Sequence, residues 1–142
     1  MKVLRDRFNL QIENQRYEFI RHLHPLVRNW IDAVPNHRDI FREGDIESLL
    51  NLMYTEEGFR VLNDCQKSDL IVFLARTGYK DEPKVGEDDE PLLRRTTLVH
   101  RAARRDCTLY PICELFQIFN RFDANYVDED GVTHFHIACR YG

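Results

Sequence analysis

Two seven-residue stretches of this chain share one pattern, and no other feature restricts the fold as strongly. Thr97-Leu98-Val99-His100-Arg101-Ala102-Ala103 and Thr133-His134-Phe135-His136-Ile137-Ala138-Cys139 place Thr, His and Ala at the same offsets, 36 residues apart. A period of about 20 to 50 residues marks stacked supersecondary units, each burying its apolar face only against a neighbour. Threonine suits a helix N-cap, where its hydroxyl meets an orphan backbone N–H, and a histidine three residues on can pair with it. Thr97/His100 and Thr133/His136 are therefore expected to be hydrogen-bonded pairs. The small residues Ala102-Ala103 and Ala138-Cys139 are expected to let adjacent helices approach closely. A large aliphatic residue at Ala138 should then overpack the stack at a cost of about 1–3 kcal/mol.

Between the boxes, Ile112, Leu115, Ile118 and Phe119 recur at three and four positions, the period of one helix face. The segment Asn125-Tyr126-Val127-Asp128-Glu129-Asp130-Gly131 reads as a tight turn in which Gly131 supplies positive φ. This order of box, helix and turn resembles the ankyrin repeat, whose helix opens on Thr-Pro-Leu-His-x-Ala-Ala with a period near about 33 residues. Asp123-Ala124-Asn125 stands where that family places its Ala-Asp-Val-Asn ending, and the wording around Phe119–Asp123 and Thr133–Cys139 is similar to divergent arthropod ankyrin arrays. The resemblance is clear over residues 92–142. It reaches back to about residue 40 through Gly44–Leu50, which looks like the short helix of a degenerate opening unit, and Ser68–Gly78, which looks like a second helix. Leu98 and His134 depart from the family's proline, Asp106 from one terminal glycine, and Arg121 or Phe122 stands near the hairpin glycine. The resemblance implies a last unit that stops at Gly142 after its first helix, so a fragment, or an end covered by something else, is expected.

From Leu4 to Trp30 apolar residues recur at three, four and seven positions, predicting a helix over 4–23 and a second from Pro25 to before Val34-Pro35. Asp45 is expected to cap a helix through Met53 that Glu56-Glu57-Gly58 closes. Ser68 or Asp69 is expected to open an apolar helix ending at Thr77-Gly78. Residues 79–95 hold Pro83, Gly86, Pro91 and the acids Asp81, Glu82, Glu87, Asp88, Asp89 and Glu90 without periodicity, and read as a solvated acidic loop. The fold expected is all-α. An N-terminal helical segment, residues 1–35, precedes a short ankyrin-type helix-turn-helix solenoid over 36–142, degenerate at about 40–78, with an insertion at 79–95 and clearer repeats from 96.

Composition narrows function. Hydrophobic residues at 43% and charged residues at 31% are globular proportions, and the longest apolar run, Leu70–Ala75, is far short of the roughly 20 residues a membrane span needs. A soluble, cytoplasmic or nuclear protein is expected, with Cys65, Cys107, Cys113 and Cys139 as reduced thiols. The net charge of −4 argues against nucleic-acid binding by the chain as a whole. No Gly-x-Ser-x-Gly, Gly-rich phosphate loop or His-Glu-x-x-His is present, so neither catalysis nor a cofactor is expected. His134, His136 and Cys139 are zinc-type ligands, but His134 lies on another helix face and no Cys-x-x-Cys accompanies them, so no metal site is expected. Cys107 and Cys113 stand six apart, which is not a thioredoxin-like redox motif, and read as a loop and a helix-packing cysteine. His22 and His24 flank Leu23 on opposite helix faces and read as surface residues.

What remains is a surface. The resemblance implies a non-catalytic protein-binding scaffold whose partner contacts draw on Arg101, Arg104 and Arg105 with Tyr126, Asp128, Glu129 and Asp130. The fold itself is expected to rest on Thr97, His100, Ala102, Ala103, Gly131, Thr133, His136 and Ala138. The alternatives are a purely structural opening segment of a longer array, or phosphate or nucleic-acid binding by the arginine cluster Arg94–Arg105. In the plainest case that cluster pairs with Glu87–Glu90 and with the Asp128–Asp130 turn.

Overall fold

A computed structural model describes residues 1–105, 109–121 and 123–141; the expectations attached to Asp106, Cys107, Phe122 and Gly142 lie outside the described residues. Among the described residues nine helices form, with isolated β-bridges in place of strands. The chain is therefore all-α. It divides into two compact units, Met1–Tyr79 and Lys80–Gly142. The division falls after Tyr79 and not near residue 35, because the helix ending at Val27 packs on two helices that follow it.

In the first unit, α1 (Lys2–Arg5) and α2 (Glu13–Val27) replace the single helix expected over 4–23. Between them Asn9 Oδ1 accepts the Gln11 N–H at 3.1 Å and Gln15 Oε1 accepts the Asn9 N–H at 2.6 Å, local bonds that compete with a continuous helix. Leu10 in this turn is fully buried. Pro25 does not open a new helix. It sits in the last turn of α2, where its missing N–H removes only the bond to the carbonyl four residues back. Then come α3 (His37–Ile40), α4 (Asp45–Met53), α5 (Glu56–Val61) and α6 (Asp64–Arg76).

Several boundaries differ from expectation because side-chain caps decide them. Gly44, at φ 77°, is the N-cap of α4, so Asp45 stands inside the first turn instead of capping it. Glu56-Glu57-Gly58 opens α5, capped by Thr55 Oγ1 accepting the Gly58 N–H at 3.0 Å, where the sequence suggested a helix end. Asn63 and Gln66 form a capping box that starts α6 ahead of Ser68 and Asp69, which lie within the helix. That helix ends at Thr77 with Gly78 at φ 79°. Phe19, Ile20 and Leu23 of α2, Leu49 and Leu50 of α4 and Leu70, Ile71 and Leu74 of α6 make the core. His22 is exposed, whereas His24 is half-buried, its Nε2 3.0 Å from Asp69 of α6.

The second unit holds α7 (Leu98–Arg104), α8 (Leu109–Ile118) and α9 (His134–Tyr141), with α7 packed on both others. Ile112, Leu115 and Ile118 are fully buried on one face of α8, against which Leu98, Val99 and Ala102 of α7 contribute. The acidic segment forms a small arm: Val85 bridges Pro91, and the Leu92 N–H donates to the Lys84 carbonyl at 2.8 Å. Beyond it, residues 93–95 lie parallel to Val127, which donates to Leu93 and accepts from Arg95. Val127 also bridges Thr133, closing a hairpin whose turn glycine, Gly131, has φ 80°. No helix among the described residues is long and apolar enough to cross a membrane.

Candidate functional site

Asp128 organises the hairpin. Its Oδ1 accepts the N–H groups of Asp130 at 3.1 Å and Val132 at 2.8 Å, the local bonding for which aspartate is favoured in turns. Its other oxygen takes Arg104 at 2.9 Å, and the same guanidinium reaches Glu129 at 2.8 Å and Asp130 at 2.6 Å. Burial of Asp128 works against its charge, but the Val132 N–H and Arg104 outweigh it and hold the carboxyl below its ordinary value. The partner of Arg104 is thus the hairpin and not the Glu87–Glu90 arm.

A second network lies beneath. Arg95 donates to Asp81 at 2.6 Å, the Tyr126 hydroxyl donates to the other Asp81 oxygen at 2.6 Å, and the Arg95 guanidinium lies 4.8 Å over the Tyr126 ring. Burial, then Asp81, pushes the Tyr126 hydroxyl well above its ordinary value. Tyr126 is 2% exposed and Asp128 3%. The hydroxyl of one and the carboxylate of the other are turned inward to fix the hairpin. Arg101, Arg105, Glu129 and Asp130 are exposed, and Arg104 lies between them at the surface.

The threonine and histidine of each box meet. In the first, Thr97 N–H donates to His100 Nδ1 at 3.1 Å and Thr97 Oγ1 lies 3.0 Å from the same nitrogen; Thr133 and His136 repeat both distances. His100 Nε2 sits 3.0 Å from the Val132 carbonyl. The structure adds a contact that the sequence did not reveal: His134 Nε2 lies 2.6 Å from Thr97 Oγ1. Its ring is enclosed by His100, Tyr126, Phe116 and Phe119, with centroids at 4.8, 5.2, 5.7 and 5.7 Å. Asn125 Oδ1 accepts the Phe135 N–H at 3.1 Å and so helps cap α9.

Ala102 and Ala103 are buried as expected of close-packed helices, but Ala138 and Cys139 are exposed, and so is Cys113, read earlier as a packing cysteine. Ala138 instead lines an open groove of about 510 Å³ with Phe116, Phe119, Ala124, His134 and Phe135. Among the described residues no three His, Cys, Asp or Glu side chains are grouped to hold a metal ion. His134 is committed to Thr97, and His136 to Thr133. Comparison of the chain with protein-family models, curated proteins and solved structures finds no match.

Proposed function

We propose that residues 92–141 form a divergent ankyrin-type repeat segment and that the chain is a non-catalytic protein-binding scaffold. The observation that carries this reading is the duplicated cap. Thr97/His100 and Thr133/His136 have the same pair of contacts at the same distances, 36 residues apart, each at the opening of a helix. The intervening helix α8 and the Gly131 turn are in keeping with such a unit. Stacked repeats present hairpin tips and short-helix faces to a partner. Here those positions carry Arg101, Arg104 and Arg105 beside Glu129 and Asp130, and arginine makes a good contact anchor. Three carboxylates on Arg104 disfavour the phosphate or nucleic-acid alternative, because an incoming anion would meet them first.

The test uses the full chain immobilised in a cell lysate, with Arg101→Glu and Glu129→Lys variants beside it. Specific capture of a protein by the wild type, lost in both variants at unchanged melting temperature, is the expected result. Capture indifferent to both substitutions, or retention only of nucleic acid that nuclease removes, overturns the reading.

A further inference from the structure

The two buried histidines of the second unit lie with ring centroids 4.8 Å apart, so a charge on either is set against both burial and the other ring. Thr97 N–H donates to His100 Nδ1, so that nitrogen is the acceptor and the ring's single proton is on Nε2, from which it is donated to the Val132 carbonyl. A proton added at Nδ1 would face the Thr97 N–H. His134 is 6% exposed and His100 1%. The His134 ring lies between the aromatic side chains of α8 and the hairpin, with Nε2 on the Thr97 hydroxyl. Thr97 opens α7, Val132 ends the hairpin and His134 opens α9. One set of neutral imidazoles therefore fastens all three elements.

We propose that His100 and His134 form an acid-sensitive latch: neutral, they hold α9 and the hairpin on α7, and protonation releases α9 and uncovers the Phe116–Phe119–Ala124 face. The surrounding charges set its bias. From α7, Arg104 opposes a charge on His100, and from the hairpin Asp128 favours one. From residues 81–95, Arg95 opposes a charge on His134, while Asp81 is occupied by Arg95 and the Tyr126 hydroxyl. Arg140 and His136 of α9 line the same cavity as His100, and α8 contributes the Phe116 ring. Burial pushes His100 below its ordinary value, Asp128 and the Val132 carbonyl partly offsetting it. For His134, burial first, then His100 and Arg95, push the value down from 6.5 to about 3. The released histidine regains its ordinary value, so the open state binds more protons over the interval between those values. Acid therefore favours opening, starting as pH falls below about 6.5 and growing by at most about tenfold per pH unit for each histidine released.

The test is amide hydrogen exchange on the full chain between pH 7 and 4.5, corrected for the intrinsic rate at each pH and compared between α9 and α6. The wild type is expected to lose protection in α9 progressively below about pH 6.5 while α6 holds, and the variant His100→Gln/His134→Gln is expected to show a pH-independent α9 over the same range. An unchanged α9 in the wild type, or an equal acid loss in the double variant, overturns the latch. Because the double variant also changes packing, the wild type supplies a second reading: a His134 ring proton resonance that titrates near pH 6.5 with α9 still protected also overturns it.

Discussion

In residues 1–79 the three longest helices, α2, α4 and α6, of nine to fifteen residues, meet through aliphatic and aromatic side chains, and the short α1 is fastened to α4 by one buried ion pair, Arg5 Nε to Asp45 at 2.6 Å. In residues 80–142 the helices are seven to ten residues long, and short helices depend on tertiary contacts for stability. There the fastening is a series of side chain–backbone bonds: His100 meets the Thr97 N–H and the Val132 carbonyl, Asn125 the Phe135 N–H and Asp128 the Val132 N–H. The first unit concentrates its buried charge on a contact spanning forty residues, whereas the second repeats one threonine–histidine device at the starts of α7 and α9. Damage should therefore be severe and focused in one, and smaller and distributed in the other.

The largest effect is expected at Asp45. Asp45→Ala removes the buried counter-ion of the Arg5 guanidinium, whose side chain is 4% exposed, leaves it only the half-exposed Asp6 at 3.9 Å, and deprives the Arg42 N–H of its acceptor at 2.8 Å. Removing one partner of a buried pair costs about 3–5 kcal/mol. Trp30, the single tryptophan, lies against Phe73 in this unit, so its fluorescence during urea unfolding reads the loss directly. A loss under about 1 kcal/mol would mean that water reaches the pair.

Gly58→Ala should come next in the same unit. A Cβ there would lie 2.1 Å from the Leu52 carbonyl oxygen, a backbone atom that cannot swing aside. Overpacking costs about 1–3 kcal/mol, and the closeness of this contact places the expectation at the upper end. The same Trp30 transition measures it. In the second unit, Thr97→Val keeps the side chain's shape but strands His134 Nε2 in a site that is 6% exposed. An unsatisfied buried group costs about 1–3 kcal/mol, and around 2 is expected here because the backbone N–H of Thr97 keeps its bond to His100. Exchange of α7 and α9 amides should accelerate while the Trp30 transition stays in place. A shift of both would deny that the two units answer separately.

How much of this was legible follows the same division. The caps at Thr97 and Thr133, the apolar face of α8 and the Gly131 turn are bonds between residues close in sequence, and pattern alone located them. The tie between Asp128 and Arg104 was also readable, since a dense arginine cluster and an acidic turn sat in one repeat length. The Arg5–Asp45 pair was not, because no local rule relates positions forty apart. Nor was the inward role of Tyr126, which depends on Asp81 across 45 residues. The repeat pattern marked His134 only as a residue standing in place of proline, whereas its ring is the centre of an aromatic box. The start of α6 was misread for a different reason: Asn63 with Gln66 is a local signal, but the apolar run from Leu70 drew the boundary to itself.

The smallest effect, at Ala138, separates a closed stack from an open groove most sharply. A small residue in a repeat box is expected to sit between helices, and there Ala138→Leu would overpack at about 1–3 kcal/mol. The side chain is instead exposed beside Phe135, which is 67% exposed, along a groove of about 510 Å³. Leucine has room there, loses only a little helix propensity, and covers part of the Phe116 and Phe135 rings, so stability should change by no more than about 0.5 kcal/mol. The measurement is the exchange rate of α9 amides at two protein concentrations. A loss above about 1 kcal/mol that grows with concentration would show the groove filled by a second copy, and the contrast with the tightly packed Ala102 on α7, at 0% exposure, would disappear.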